Sequence, residues 1–349
     1  MTTPSPASGR GYLVGGWTFT DPGVPLDTAC YELRLDGAAI VRQISASAVA
    51  VYYGAVEPGG RSILLLHNDI ERSAMSRHRF AADGSLTEDG RWPSGGQGGS
   101  YIAFDSSGRY FVVANAHTGW AVFRNGTEPE LIASLRNEGS GPHPRQVRSH
   151  PHCAIFTRDN AWIYAADMGS DEVLAFPFAA DAGRVGGKIC AYRAAPGSGP
   201  RHVLSRHGLI YLLNELGNTL VVLRPEADGT LTEMQYVSTL PSDFTGDSHT
   251  AHLDMSRDGR HLYVSNRGHD SLTVYDVGAE GLVTPRQWAP SGGKWPWFFA
   301  LTDDRRMIVA NNLSDAMTIF DIDTRGELRA SDQVAVRRPV FIAPFRWSQ

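Results

Sequence analysis

The stretch "AHLDMSRDGRHLYVSNRGHDSLTVYDV", residues 251–277, decides the fold of this chain. It contains three short runs of apolar, β-branched and aromatic residues, "AHLDMS", "HLYVSN" and "SLTVYDV", separated by the polar turns "RDGR" and "RGHD". Runs of this length bounded by Asp-Gly and similar pairs are typical of antiparallel strands joined by tight turns. The stretch therefore predicts three consecutive strands, and helical periodicity of any length is absent from the chain.

The same strand ending recurs along the chain. Each copy is a short apolar strand that ends in Asn, Asp or Gly, and the endings lie about fifty residues apart. These endings are Gly16, Asn68, Asn115, Asp167, Asn214, Asn266 and Asn311. Seven such repeats predict an all-β fold, a seven-bladed β-propeller with four antiparallel strands per blade. We expect residues 1–349 to form a single domain, closed by pairing between an N-terminal strand and the C-terminal "PVFIAPFRW".

The Asn and Asp residues of the repeat have a structural explanation. Short polar side chains can hydrogen-bond the turn that leaves a strand, so we interpret the strand-end residues as Asx-turn caps and not as catalytic groups. Asp171, Asp270 and Asp315 each lie four residues after a strand end, and we interpret them as turn residues as well.

Composition and charge argue against several classes of function. The formal net charge is −5 and the Lys and Arg residues are scattered, so nucleic acid is not an expected partner. Cys30, Cys153 and Cys190 have no CxxC spacing, which predicts neither a disulfide framework nor structural zinc. The N-terminal residues lack the apolar core of a secretory signal, and the longest apolar stretch is too short for a bilayer. We therefore expect a cytoplasmic protein without a membrane partner, either a monomer or a simple homo-oligomer.

The repeat allows equivalent positions to be compared between blades. Counting back from the strand ends places His152, Arg201 and Trp297 at the start of the first strand of their blades. In a propeller this strand lines the central channel, and the second strand returns to the same face. Glu215 and Arg267, one residue beyond their strand ends, should therefore meet the first three at one channel mouth. Close to them in sequence are His150, Arg145, Gln146, His202 and His252.

This set of side chains suits acid–base and anion-binding chemistry. Guanidinium groups bind carboxylates or phosphates and stabilise oxyanions. A histidine can carry a proton near neutral pH, and Glu215 can orient the imidazole or act as a base. The alternative is structural: Glu215 and Arg267 form a salt bridge between blades while the histidines only pack. Four such residues at equivalent positions favour a functional site.

We expect neither a metal nor a nucleotide cofactor. His150 and His152 could bind zinc together with His252, but arginines in the same pocket would repel a cation. Glycine-rich runs such as "GGQGGS" and "PSGGKWPWF" match neither the phosphate-loop nor the dinucleotide-binding spacing, and none precedes a helix.

Three stretches resemble a known family: "PRQVRSHPHCAIFTRDNAWIYAADMGSDEVLAF", "GPRHVLSRHGLIYLLNELGNTLVVL" and the opening stretch. They are similar to the lactonase family of seven-bladed propellers, which contains propeller-type 6-phosphogluconolactonases and carboxy-muconate cyclases. The likeness covers residues 95–325. The resemblance to the cyclase branch implies catalysis by a histidine, a glutamate and two arginines. On the matching motifs these are a histidine of the pair His150 and His152, Glu215, Arg201 and Arg267.

The sequence departs from the family in two of the blades. The last blade usually carries Pro-Arg before its first strand, and here it reads Pro296-Trp297. Where a glutamate is common near Ala251, this chain has His249 and His252. The lost arginine and the added aromatic rings predict a substrate that is less anionic, aromatic or larger.

Our leading hypothesis is an enzyme that hydrolyses or forms a small-molecule lactone, with His152 or Glu215 activating water and two arginines stabilising the oxyanion. One alternative is a cycloisomerase or intramolecular lyase of the muconate-cyclase type. Another is a non-catalytic propeller that binds a ligand or a protein. Substitutions of His152, Glu215 and Arg267 are expected to leave the fold intact, and His261, expected in a turn, to serve as a control.

Overall fold

The computed structural model describes residues 9–16, 28–34, 40–47, 51–67, 73–80 and 86–347. Within these ranges the chain is an all-β propeller of antiparallel blades, and the only helical element is a 3₁₀ turn at Asn312–Ser314. The same ranges contain no helix with the length and apolar character needed to cross a membrane. The strand end predicted at Asn68 and the side chain of Cys30 lie outside what is described.

The strands pair into seven antiparallel sheets. Strands β1 to β3 and the last strand, β29, form one sheet: Gly9–Gly16, Thr28–Arg34, Ile40–Ser47 and Pro339–Trp347. Strands β4 to β7 form the next: Val51–Val56, Ser62–His67, Ala74–Phe80 and Leu86–Pro93. Strands β8 to β11 follow: Gly99–Phe104, Tyr110–Asn115, Gly119–Arg124 and Glu130–Leu135. Strands β12 to β16 are Pro151–Phe156, Trp162–Asp167, Glu172–Ala179, Arg184–Val185 and Ile189–Arg193.

The three remaining sheets have four strands each. Strands β17 to β20 are Pro200–Arg206, Leu209–Asn214, Thr219–Pro225 and Leu231–Ser238. Strands β21 to β24 are His249–Met255, His261–Arg267, Ser271–Val277 and Val283–Pro290. Strands β25 to β28 are Pro296–Leu301, Arg306–Asn311, Ala316–Ile322 and Leu328–Ala335. His261 therefore begins β22, and the expectation that it lies in a turn was wrong.

The expected four antiparallel strands are found in six of the seven sheets. The exception is the sheet of β12 to β16, where the two-residue strand β15 pairs with the end of β14, beyond the part of β14 that pairs with β16. The first strands of the sheets contact one another in a closed circuit, in the order β4, β8, β12, β17, β21, β25 and β29. The circuit surrounds the central channel.

The two ends of the described chain pair with each other. Strand β1 runs antiparallel to β29, from Gly9 opposite Trp347 to Gly16 opposite Pro339. The N-terminal strands thus supply the outer part of a sheet whose innermost strand is C-terminal. The predicted closure through "PVFIAPFRW" is confirmed.

The hydrophobic core lies between neighbouring sheets. Alternate residues of β13 point to opposite sides: Ile163 and Ala165 pack towards β9 and β10, whereas Tyr164 and Ala166 pack towards β18. Because side chains alternate along a strand, a strand covered on both faces must be apolar at every position. This explains the continuous apolar runs that precede the strand ends.

A bulge recurs near the start of the first strand in every sheet. The pairing with the neighbouring strand skips a residue there, and in one sheet two. The skipped residues are Tyr52, Ser100, His152, Arg201, Ala251 with His252, Trp297 and Val340. A bulge re-aims a side chain at the end of a sheet. The equivalence of His152, Arg201 and Trp297, predicted from the repeat, is therefore confirmed.

The second repeat has a histidine at the position equivalent to Asp167. His67, the last residue of β5, pairs with Val51 as Asp167 pairs with Pro151. The bulge residue of this sheet is Tyr52, fifteen residues before His67.

The strand-end side chains do more than cap their own turns. Asp167 does form the expected Asx-turn, since its Oδ1 accepts the N–H of Gly169 at 3.0 Å. Asn115 and Asn311 instead donate to the carbonyl groups of Ser94 at 3.1 Å and Ser291 at 3.0 Å. Those carbonyls belong to the segments that enter the first strand of the same blade. The strand end therefore fixes where the innermost strand begins.

The residues four positions after the strand ends hold the entry to the next blade. Asp171, Asp270 and Asp315 have positive φ angles of 58°, 55° and 49°, which confirms them as turn residues. Asp171 accepts the N–H groups of Gly197 and Gly199, both at 2.7 Å. Asp270 accepts Trp295 N–H at 2.7 Å, and Asp315 accepts Arg338 N–H at 2.9 Å.

Candidate active site

Glu215 lies at the centre of the candidate site. It directly follows β18 and is completely buried. Its N–H donates to Gly199 O at 2.7 Å, and its carbonyl accepts the N–H of Thr250 at 3.2 Å. The residue is thus tied to the segments that enter two successive blades.

Three guanidinium groups contact the Glu215 carboxylate. Arg145 Nη1 lies 2.6 Å from Oε1, Arg267 Nη2 lies 2.9 Å from Oε1, and Arg201 Nη1 donates to Oε2. Arg201 and Arg267 are buried, whereas the side chain of Arg145 is 45% exposed. Arg145 is therefore the member of the cluster that solvent or a ligand can reach.

Backbone carbonyls fix the orientation of the two buried arginines. Arg201 Nε donates to Ala251 O at 2.6 Å, and Arg267 Nη2 donates to Thr250 O at 2.8 Å. Both acceptors lie at the bulge of β21, so the irregular start of this strand orients two guanidinium groups at once.

The electrostatics of the cluster favour a bound anion. Burial alone would raise the pKa of the Glu215 carboxyl, but Arg267, Arg201 and Arg145 hold its pKa well below its usual range. Burial lowers the pKa of Arg267 to about 10, although Glu215 opposes this shift. Three guanidinium groups face one carboxylate among the described residues, which leaves an excess of positive charge.

His152 belongs to the same cluster. Its Nε2 lies 2.6 Å from Arg201 Nη1, and its Nδ1 is buried without a hydrogen-bond partner in the structure. Since a guanidinium can only donate, Nε2 accepts, and the proton of the neutral imidazole is on Nδ1. Burial and the charge of Arg201 hold the pKa of His152 well below its ordinary value.

His150 lies nearer the surface. Its ring centroid is 6.2 Å from that of His152, and its side chain is partly exposed. Burial lowers the pKa of His150 to about 4, so this imidazole is neutral at pH 7. Both histidines of the pair are therefore beside the arginine cluster.

Two tryptophans enclose Arg267. Its guanidinium carbon lies 4.7 Å from the ring centroid of Trp297 and 5.5 Å from that of Trp295. Trp297 also lies 5.7 Å from the guanidinium carbon of Arg201, which confirms its place on the wall of the cluster. Trp295 has a φ of +64°, and its indole N–H is buried without a partner. Trp295 belongs to the run "PSGGKWPWF" and was not among the site residues predicted from the repeat.

His202 and His252 are placed deeper than the arginines. They belong to a belt of six rings in which each contacts the next around the channel: Tyr53, Tyr101, His202, His252, Phe298 and Phe341. The two Nδ1 atoms are 3.3 Å apart. Burial lowers the pKa of His252 to about 3 and holds that of His202 well below its ordinary value. We name this set the aromatic belt.

The Gln146 side chain forms its hydrogen bonds with residues outside the cluster around Glu215. Its amide donates to Asp171 Oδ1 at 2.7 Å and to the carbonyl of Met168 at 2.9 Å. Its Oε1 accepts His143 N–H at 3.1 Å. These contacts shape the segment that carries Arg145. Gln146 therefore acts on the arginine's position and does not face the cluster itself.

The described residues contain no group of three or more His, Cys, Asp or Glu side chains that could hold a metal ion.

A model of the family described as "Lactonase, 7-bladed beta-propeller" matches residues 31–344. This chain belongs to the lactonase family of seven-bladed β-propellers.

Relatives of this lactonase-family chain include a 6-phosphogluconolactonase of Bacillus subtilis. It is 31% identical over 205 residues, which are 56% of this chain and 58% of the relative. An uncharacterised protein of Lactococcus lactis is 36% identical over 52% of this chain and 54% of its own length. The chain thus spans little more than half the length of these curated relatives.

Solved structures match over a longer range. The periplasmic gluconolactonase of Pseudomonas aeruginosa is 25% identical, with a TM-score of 0.86 over 97% of this chain and 99% of its own. A protein from Lactobacillus plantarum is also 25% identical, with a TM-score of 0.85 over the same shares. These matches to solved structures therefore cover nearly the whole chain.

Proposed function

We propose that this chain hydrolyses a lactone at the cluster around Glu215. The observation that carries the proposal is the excess of positive charge where three guanidinium groups meet one buried carboxylate. Attack of water on a lactone carbonyl produces a negatively charged oxygen, which preorganised donors in a buried site stabilise. The family and the named activities of two relatives support this reaction class.

The arginines and Glu215 have different roles in this proposal. Arg145 donates to Glu215 through Nη1, and its exposed side chain presents further N–H groups to the substrate oxygen. Both carboxylate oxygens of Glu215 already accept hydrogen bonds from arginines, so neither oxygen is available to take a proton from water. Glu215 therefore positions the guanidinium groups, in place of the base role considered from the sequence.

His152 and His150 have different roles in the proposed hydrolysis. His152 Nδ1–H, left free by the contact between Nε2 and Arg201, donates a hydrogen bond to the substrate. His150 accepts the proton of the attacking water as the water oxygen bonds to the carbonyl carbon. It then returns this proton to the ring oxygen as the C–O bond breaks. The hydroxy acid leaves, and His150 is neutral again.

The experiment is hydrolysis of a panel of sugar-acid δ-lactones, followed by proton release and corrected for the spontaneous rate. Arg145→Ala should lower kcat by about 10²-fold, as expected for loss of an oxyanion donor. The matched control is Arg136→Ala, an exposed arginine earlier in the same segment. His150→Gln should abolish turnover, whereas His152→Gln should mainly raise KM. A native chain that accelerates no lactone of the panel would refute the proposal.

Lactone formation from an unsaturated dicarboxylate is the alternative use of the same groups. The arginines would hold one carboxylate while the oxygen of the other bonds to a carbon of the double bond, and a proton taken from solvent and relayed by His150 would bond to the adjacent carbon. Incubation with muconate-type diacids distinguishes lactone formation from lactone hydrolysis, because only an enzyme that forms lactones converts these diacids to a lactone. Saturable binding of either substrate class without turnover would favour the non-catalytic propeller.

The seven sheets also bear on the domain organisation. We infer that they are the seven blades of one ring and that residues 1–349 form a single domain. The closed circuit of first strands and the pairing of β1 with β29 support this organisation.

A further inference from the structure

A cavity of 1390 Å³ lies at the ends of three first strands that are opposite to the candidate active site. It is lined by the last residues of β8, β12 and β17, by the turns that follow them and by parts of the neighbouring strands. Of the aromatic belt only Tyr101 contributes to its wall, and Glu215 and the arginines around it do not. Since His152 and Arg201 lie at the starts of β12 and β17, the belt separates this cavity from the candidate active site. We name it the distal cavity.

The distal cavity lies where a repeated contact between blades is missing. Tyr211 Oη donates to Gly281 O at 2.9 Å, and Tyr263 Oη donates to Gly326 O at 3.1 Å. Each bond joins a second strand to the outer hairpin of the next blade. Tyr164 occupies the equivalent position in β13, but its hydroxyl is buried without a partner, and its side chain lines the cavity. A buried hydroxyl without a partner is costly, so a bound group that accepts its hydrogen bond would stabilise this seam.

The lining combines an apolar wall with free positive charge. Phe104, Ile155 and Trp162 supply apolar surface, and Arg158 and Arg206 are exposed on the rim. Among the described residues neither arginine lies within 4.0 Å of a carboxylate, although burial raises the pKa of Asp254 and the charge of Arg206 opposes this shift. The nearby carboxylates are already engaged.

Those carboxylates belong to Asp159 and Glu226. Asp159 accepts from Thr157 Oγ1 at 2.6 Å, and Glu226 accepts from Arg224 Nε at 3.1 Å. The cavity therefore offers cations and a hydroxyl donor beside aromatic surface, which is the usual make-up of a small-molecule site.

We propose that the distal cavity binds a small organic anion with an aromatic or otherwise apolar body. The body packs on the apolar wall, and the anionic group contacts Arg158 and Arg206 while accepting a hydrogen bond from Tyr164. This site is separate from the cluster around Glu215 and does not depend on the reaction proposed there.

The probe is 8-anilinonaphthalene-1-sulfonate, titrated into the native chain and followed by fluorescence. One saturable site is expected. The uncharged 1-anilinonaphthalene should bind in the same place with lower affinity. Arg158→Ala together with Arg206→Ala should weaken binding of the sulfonate about fivefold, as expected for an exposed ionic contact. Binding of the uncharged probe should not change.

Two tyrosine variants test the missing contact. Tyr164→Phe should weaken sulfonate binding about fivefold without lowering Tm, because no hydrogen bond within the chain is lost. The matched control Tyr211→Phe should lower Tm and leave the affinity unchanged, since Tyr211 is bonded to Gly281. Arg145→Ala, at the opposite end of the channel, should not alter binding.

Three outcomes would overturn the proposal: no saturable binding by the native chain, unchanged affinity in both the double arginine variant and Tyr164→Phe, or loss of binding in Arg145→Ala. The last would place the probe at the cluster around Glu215.

Discussion

At the scale of the residue, burial changes what the cluster around Glu215 can tolerate. Glu215 is completely buried, and Arg201, Arg267 and His152 are each less than 5% exposed. Removing one charge from a buried cluster leaves its partners uncompensated in a poorly solvated place. The expectation that substitutions here leave the fold intact assumed side chains exposed at a channel mouth. The structure does not support that assumption.

Glu215→Gln is therefore predicted to destabilise the protein. The amide keeps the shape of the side chain but removes the one carboxylate that, among the residues the structure describes, contacts the three guanidinium groups. We expect the free energy of unfolding to fall by about 3–5 kcal/mol, the range for a broken buried ion pair. Urea denaturation measures the change. Glu226→Gln, at a carboxylate in a turn whose side chain is 39% exposed, is the control, and equal stability of the two variants would contradict the prediction.

Trp297 provides a second prediction at this scale. Its ring covers Arg267 and Arg201, and Trp297→Phe keeps an aromatic face there, so a loss of about 1–2 kcal/mol is expected. Trp297→Arg adds an unpaired charge to a positive cluster and should cost more. Since it also restores the arginine usual in the family, it should raise kcat/KM for carboxylated or phosphorylated lactones relative to uncharged ones. Thermal melts and paired kinetics measure both effects, and an unchanged substrate ratio would exclude Trp297 as a specificity residue.

At the scale of the element, the turns between strands position the site. Asp171, after β13, accepts the N–H groups of Gly197 and Gly199 and the amide of Gln146. Gly199 in turn accepts the N–H of Glu215. The turn at Asp171 therefore fixes, through Gly199, the position of Glu215 in the next blade. It also fixes the position of Arg201, the bulge residue that lies two residues after Gly199.

Asp171→Ala is predicted to affect both stability and turnover. It removes an acceptor from three hydrogen bonds and leaves alanine at a φ of 58°, so a loss of about 3–5 kcal/mol is expected. The matched control Asp315→Ala has the same backbone conformation but loses one such bond, to Arg338, on the surface. The stability of Asp315→Ala should fall less than that of Asp171→Ala, and the kcat of Asp315→Ala should be unchanged. Thermal unfolding and kinetic assays of both variants measure the two effects. If Asp171→Ala has the same kcat as the native chain, this turn does not position the catalytic residues.

At the scale of the whole molecule, histidines extend from the surface into the channel. The centroids of successive rings, from His117 through His150, His152 and His202 to His252, are 5.3–6.2 Å apart. Burial lowers the pKa of every one of them, so the fold holds them neutral. The unfolded chain binds protons at these histidines near pH 6.5.

Stability should therefore decline as the pH falls from about 6.5 towards 4, because the unfolded state binds more protons than the folded state in this window. Each buried histidine contributes a slope of about 1.4 kcal/mol per pH unit. Urea denaturation at several pH values measures this slope of the free energy of unfolding. His252→Phe, which preserves stacking on Phe298, should reduce the slope, whereas the exposed control His207→Asn should not. A free energy of unfolding that does not change between pH 7 and 5 would contradict this account.

The sequence by itself determined the strands and the turns, because each depends on a few neighbouring residues: short apolar runs, Asp-Gly pairs and short polar caps, whose recurrence about every fifty residues gave the repeat. It also brought His152, Arg201, Glu215 and Arg267 to one face, since equivalent positions in a repeat occupy equivalent places. Only the tertiary structure decided that Glu215 is an anchor for three arginines, that His202 and His252 belong to the aromatic belt and that Tyr164 lacks its partner. Burial, pKa and hydrogen bonding at these residues depend largely on side chains from other blades, such as Arg145 and Arg267 around Glu215, which lie 70 and 52 positions away and which no local pattern encodes.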